Sequence, residues 1–183
     1  MKRILLVIAI TAVSIVLYQC GTSIGSGHSY YNTFETADEM VEDAKTRIRE
    51  INRDDLKGMI DEMAYFILID IREQNEHDAG YISGSVLIPR GVLEFRVANE
   101  SFWDEEGMYM PLKTDSLVVY CKKGNRTALA AESLRQLGYE HVLCLDGGFL
   151  SWKEAFPELI QTNIDNSAPA GQVVTTSSDS GGC

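Results

Sequence analysis

The chain is short of positive charge. Its 183 residues carry 16 lysines and arginines against 27 aspartates and glutamates, a formal net charge of −11. That balance repels nucleic acid and anionic headgroups, and excludes both as the main partner. Histidine is scarcer still: His28, His77 and His141 are scattered and show no metal-ligand spacing, so no metal site is expected. The four cysteines, Cys20, Cys121, Cys144 and Cys183, lie in settings too unlike one another to form a disulfide framework. A hydrophobic run of full membrane-spanning length is lacking too: the nearly all-apolar Ile4 to Tyr18 would span about 22 Å as a helix at about 1.5 Å per residue, against a hydrocarbon core about 30 Å thick. What remains is the composition of a globular protein, 45% hydrophobic and 23% charged, with room for one domain plus tails.

Three of those cations, Lys122, Lys123 and Arg126, fall within five residues, a local exception on an acidic chain. Leu117, Val118, Val119 and Tyr120 form a short apolar run that reads as a buried strand. Thr127 to Leu137 sets Leu129, Ala130, Ser133, Leu134 and Leu137 at helical spacing, and Gly138 follows as a stop. Between strand and helix lie Cys121, Lys122, Lys123, Gly124, Asn125 and Arg126. A loop that leaves a strand and enters a helix points amides inward at the helix's positive end, so it holds an anion. Here the first residue of that cradle is a cysteine, and adjacent cations favour the thiolate, the attacking form. Buried structural cysteine is the commoner fate, but three cations and a glycine within five residues fit it poorly. Cys121 is therefore expected to be a partly exposed nucleophile, with Lys122, Lys123, Gly124, Asn125 and Arg126 binding its substrate. Cys144, inside an apolar strand, is expected to be inert.

The flanks divide the chain. Met1-Lys2-Arg3 followed by the apolar run is the layout of an export signal over 1–20. Its end, Leu17-Tyr18-Gln19-Cys20, resembles a bacterial lipoprotein signal in which Cys20 is lipidated. Gln19 and Tyr18 depart from the small residues usual there, so ordinary cleavage and an uncleaved anchor stay open. Each outcome places the rest outside the cytoplasm, on the periplasmic or extracytoplasmic side, with membrane contact through the N-terminal anchor. Residues 21–35 read as a flexible Gly/Ser tether, and 161–183 as a disordered tail. Thr36 with Glu39 caps an N-terminal helical extension over 36–49, with Met40, Ala44, Ile48 and Ile51 in register. Asn52 with Asp55 opens a second helix carrying Leu56, Met59 and Ile60. Further strands are expected at 66–71, 86–88 and 141–145, and helices at 91–99 and 149–156. The stretch 102–107 reads as an irregular loop. Strands alternating with helices imply an α/β fold: a parallel sheet with helices on both faces. Asp70 and Arg72 are expected to brace loops, and Arg90 to add positive potential near the pocket mouth.

Five segments carry a family resemblance. They are Ile69-Asp70-Ile71-Arg72-Glu73, Gly80-Tyr81-Ile82-Ser83-Gly84-Ser85, Ile88-Pro89, Val119 to Arg126, and Leu145-Asp146-Gly147-Gly148-Phe149 with Trp152. In order and spacing they resemble a rhodanese domain, here over 50–160. The resemblance implies a three-layer rhodanese-like fold with a central, mostly parallel sheet. It implies a sulfurtransferase whose Cys121 carries a persulfide, taking sulfur from a small anionic donor and giving it to a thiol or cyanide, with no cofactor. Tyr81 departs from the family, which usually has histidine there, and the helix at 36–48 is extra. Two rivals remain open. A non-catalytic carrier or sensor of sulfane sulfur needs the same cysteine. A cysteine-based phosphatase resembles Cys-x5-Arg, whereas four residues separate Cys121 from Arg126.

Overall fold

The computed structural model describes residues 33–163. The export signal with Cys20, the tether up to residue 32, and the tail from residue 164 with Cys183 lie outside the described residues. The chain divides after Glu35, and every element below belongs to the unit that starts at Thr36.

Helix α1, Ala37–Lys45, starts at Thr36, whose Oγ1 accepts the Glu39 N–H at 3.2 Å. Strand β1, Arg49–Ile51, leads to helix α2, Arg53–Asp61, where Asn52 Oδ1 accepts the Asp55 N–H at 2.8 Å. Strand β2, Ile67–Asp70, is followed by helix α3, Gln74–Asp78, and the short strands β3, Tyr81–Ile82, and β4, Val86–Leu87. A 3-10 turn at Arg90–Val92 runs into helix α4, Leu93–Arg96, and then α5, Glu100–Glu105. Strand β5, Ser116–Tyr120, helix α6, Asn125–Gln136, strand β6, His141–Leu145, and helix α7, Gly148–Ala155, complete the domain, with strand β7 at Ile160–Gln161.

Five strands lie parallel in the order β1-β6-β5-β2-β4, and β3 pairs with β7 in a separate antiparallel ribbon. Successive strand residues serve opposite faces, as the period of two requires. Leu68, Val118, Tyr120 and Leu145 pack with Leu56 of α2 and with Phe149 and Trp152 of α7. Ile67, Ile69, Val119, Cys121 and Cys144 face the other way, onto Leu93 of α4, Trp103 of α5 and Ala130, Ala131 and Leu134 of α6. This is the three-layer α/β architecture expected. Beyond it, Val41 and Ala44 of α1 seal the outer side of α6 against Ala128. Among the described residues, no helix is long and apolar enough to cross a membrane.

Several boundaries differ from expectation. The first helix stops at Lys45, and Arg49–Ile51 becomes an edge strand paired to β6 from Arg49↔Leu143 to Ile51↔Leu145. Met40 is exposed, and the buried stripe is Val41 with Ala44. Residues 102–107 are not an irregular loop. Asn99 Oδ1 caps α5 through the Phe102 N–H at 3.1 Å, and buried Trp103 donates its indole N–H to the Val97 carbonyl at 3.0 Å. Residues 91–99 form two turns rather than one helix, with Leu93 and Val97 buried and Phe95 exposed at 78%.

Candidate active site

The central strand β5 ends at Tyr120, so Cys121 emerges at the carboxyl end of the sheet, where parallel α/β folds place their ligand sites. Position 121 continues the strand's alternation and aims its side chain beneath α6. The residue is only 1% exposed, which corrects the expectation of partial exposure. It is not sealed, however. Cys121, Lys122, Lys123, Asn125 and Arg126 line a cavity of about 200 Å³. The sulfur sits at the bottom of a recess, and both lysines stand on its exposed rim.

The turn at the cavity's edge requires Gly124. Its φ of +98° is left-handed, it serves as the N-cap of α6, and its N–H donates to Cys121 Sγ at 3.2 Å. The opposite edge of the loop is fixed by α7. The Phe149 N–H donates to the Cys121 carbonyl at 2.7 Å, and the Leu150 N–H donates to the Lys122 carbonyl at 3.1 Å. These two bonds occupy the carbonyls of Cys121 and Lys122 at the start of α7 and leave the Gly124 N–H on the sulfur. The approach is so close that a Cβ on Gly148 would overlap the Cys121 carbonyl and stand 2.9 Å from Lys122 C and Lys123 N. The Gly147-Gly148 pair thus does more than turn the chain: it lets one helix end clamp the cysteine loop.

Arg126 is not free to wrap an anion unaided. Its guanidinium meets both oxygens of Glu76 at 2.8 and 2.9 Å, a bidentate pair between α6 and α3. Hydrogen bonding to Glu76 raises the Arg126 pKa, and Cys121 adds a smaller pull in the same direction. The same bonds hold the Glu76 carboxyl below the usual range. Glu76 was not singled out from sequence. The signal available was Glu73-x-x-Glu76, since the Glu73 N–H donates to Glu76 Oε2 at 3.3 Å at the start of α3.

The remaining residues frame the loop. Buried Asp70 and Arg72 form an ion pair at 2.6 Å, Arg72 also donates to the Gly80 carbonyl at 2.7 Å, and its guanidinium lies 4.0 Å from the Phe149 ring centre. They brace loops, as expected, and tie the end of β2 to the start of α7. Burial alone would push the Asp70 carboxyl up, but hydrogen bonds from His77 and Arg72 outweigh it and hold the carboxyl below its ordinary value. His77 Nδ1 lies 3.0 Å from Asp70 Oδ2, and Tyr81 stacks on the His77 ring at 4.1 Å. Arg90 does not serve the pocket mouth: it pairs with Glu94 at 2.7 Å and donates to Ser133 Oγ at 3.0 Å. Burial, reinforced by Glu50, pushes the Cys144 thiol up to about 12, so it stays protonated at neutral pH. Among the described residues, no cluster of His, Cys, Asp or Glu could hold a metal ion.

A three-layer α/β sheet whose central strand ends in a cysteine-headed anion loop defines a class of protein with a thiol at its business end. The family model for the rhodanese-like domain matches residues 52–155, more than half of the chain, and the chain belongs to that family. It is 34% identical over 90 residues to a putative mitochondrial thiosulfate sulfurtransferase of Schizosaccharomyces pombe, a match covering 48% of this chain and 63% of that protein. The chain thus spans less than two thirds of that relative. Among solved structures, the human single-domain sulfurtransferase TSTD1 is similar at 28% identity and a TM-score of 0.54, over 57% of this chain and 95% of that one. A protein of unknown function from Rhodopseudomonas palustris, described as a possible tyrosine phosphatase, is similar at 28% identity and a TM-score of 0.56, over 68% of this chain and 94% of that one.

Proposed function

We propose that this chain is a sulfurtransferase that moves sulfane sulfur from a small anionic donor, thiosulfate or a similar ion, to a thiophilic acceptor. The observation that carries the reading is the 200 Å³ cavity with Cys121 at its floor, Lys122, Lys123 and Arg126 around it, and the Gly124 N–H on the sulfur. The Cys121 thiolate attacks the outer sulfur of thiosulfate, the S–S bond to the sulfonate breaks, and sulfite leaves with the electron pair. The product is a persulfide on Cys121. Its anionic outer sulfur rests among peptide N–H groups and cations, the physics of an oxyanion hole. Cyanide then takes that sulfur as thiocyanate. A thiol gives its proton to the outer sulfur, attacks it as thiolate, and leaves as a persulfide while Cys121 returns to thiolate.

The phosphatase alternative draws on the description of the Rhodopseudomonas protein. Two features weigh against it here: the loop has four residues between Cys121 and Arg126, and Glu76 takes both terminal nitrogens of the Arg126 guanidinium. A short loop whose arginine already shares its donors with a carboxylate suits one added sulfur better than a tetrahedral phosphate. The carrier alternative shares the first half-reaction and lacks turnover.

One experiment separates the three. The full chain is mixed with thiosulfate and, separately, with an aryl phosphate, and both mass and products are followed. Sulfur transfer gives a gain of about 32 Da on Cys121, matching sulfite release, and continuing thiocyanate formation with cyanide. Cys121→Ser abolishes all three. Sulfur retained without turnover means a carrier, and phosphate release overturns the reading. Residues 1–20 support a further proposal, that the domain works outside the cytoplasm on an N-terminal anchor. A mature N-terminus at Cys20 with an added acyl mass would establish the lipid form, and an intact Met1 in the cytosolic fraction would sink the export proposal.

A further inference from the structure

A second cavity, about 370 Å³, lies beside the cysteine recess. The two share Lys122, and the Arg126–Glu76 pair partitions them, Arg126 lining the smaller and Glu76 the larger. Buried Arg72 and the side chains of Phe149, Leu150 and Lys153 complete the larger one's working wall. Its position follows from the clamp. The first turn of α7 is bonded to the carbonyls of Cys121 and Lys122, so Lys153, one turn further on, overlooks the same opening.

The unpartnered cations of the domain cluster at this cleft. Ten of the fourteen described lysines and arginines have a carboxylate, carbonyl or ring partner. Those whose side chains have none are Arg49, Lys122, Lys123 and Lys153, and three of these four line the paired cavities. The one carboxylate in the cleft wall, Glu76, is consumed by Arg126 and does not cancel them. The smaller cavity suits an inorganic ion. The larger falls within the roughly 300–1,000 Å³ typical of small organic ligands. It offers an apolar wall for a carbon skeleton and two free ammonium groups for its charge.

We propose that this larger cleft seats the sulfur acceptor, and that Lys153, with Lys122, selects a small thiol bearing carboxylates. The proposal rests on the sulfurtransferase reading and names the acceptor class for the same site. The acceptor's carboxylates pair with Lys153 and Lys122, its chain lies on Phe149 and Leu150, and its thiol reaches past Lys122 to the outer sulfur on Cys121. Its proton passes to that sulfur, a new S–S bond forms to the acceptor, and the bond to Cys121 Sγ breaks, returning Cys121 as thiolate. No oxidant or reductant is required.

The test uses the full chain, with Cys121 first given its sulfur by thiosulfate and checked by mass. Removal is then timed with mercaptosuccinate (two carboxylates), 2-mercaptoethanol (neutral) and cysteamine (cationic). The readout is each variant's preference ratio, which cancels differences in thiol reactivity. For Lys153→Ala the preference for mercaptosuccinate over 2-mercaptoethanol should fall about fivefold, with the loss in KM rather than kcat, as one partly exposed charge pair allows. For Lys153→Glu the preference should shift further and towards cysteamine. Ratios that stay at the wild-type value in both variants overturn the acceptor assignment. Failure of the wild-type chain to take up sulfur at all is read before any acceptor is added, and sinks the underlying sulfurtransferase reading instead.

Discussion

Gly148 is the residue near the cysteine with least room for change. A methyl group there meets three backbone atoms of the loop, and its φ of +58° is already one that side chains disfavour. Gly148→Ala should cost about 2–5 kcal/mol in chemical unfolding and suppress sulfur uptake. Wild-type stability and uptake would show the clamp to be dispensable. Arg72 is the second such point. Removing it leaves the Asp70 carboxylate buried without its main counter-charge, so Arg72→Leu should cost about 3–5 kcal/mol at pH 7. The sign with pH follows from Asp70. Its depressed value in the folded wild type gives stability that is present above the unfolded value, about 3.9, and lost as pH falls through the lower folded one. In the variant, burial opposed only by the His77 hydrogen bond favours protonation more than in the wild type, so the gap from wild type should narrow between pH 7 and pH 4 in urea titrations. That Cys121 to Arg126 share one recess was legible because they are contiguous. Glu76 was not, because it sits 50 positions from its partner. The role of Gly148 was hidden because a glycine's meaning depends on what approaches it.

Helix starts were the most readable elements. Thr36 and Asn52 cap α1 and α2 where their spacing to Glu39 and Asp55 placed them. Asn52→Ala should therefore cost about 1 kcal/mol, and an unchanged thermal midpoint would show that the cap contributes nothing. Helix ends were less readable. Ile48 and Ile51 keep helical spacing past Lys45, yet Arg49–Ile51 gains a hydrogen-bonded partner in β6 that periodicity cannot foresee. A three-residue edge strand is also too short to display its own alternation. The reverse error hid α5: its acidic, glycine-ended stretch looked like loop, while Asn99 as cap and Trp103 as anchor were the signals to weigh.

At the scale of the molecule, the sequence announced alternating strands and helices but not the order β1-β6-β5-β2-β4, which comes from strand-to-strand pairing over long separations. Nor could it announce the second cleft, which is assembled from β2's end, α3 and α7. What composition did convey is the electrostatic contrast between an acidic body and a cationic opening. Uptake from a dianionic donor should thus weaken with added salt. Raising ionic strength from about 0.01 M to 0.1 M shortens the screening length from about 30 Å to 10 Å, so kcat/KM for thiosulfate should drop several-fold while kcat stays nearly flat. A flat kcat/KM would mean the lysines exert no steering. The clamp from α7 has a temporal consequence as well. A ribosome delivers Cys121 before it delivers Phe149 and Leu150, whose amides hold the loop in shape. The nascent loop therefore waits without its clamp until α7 has been made and has packed.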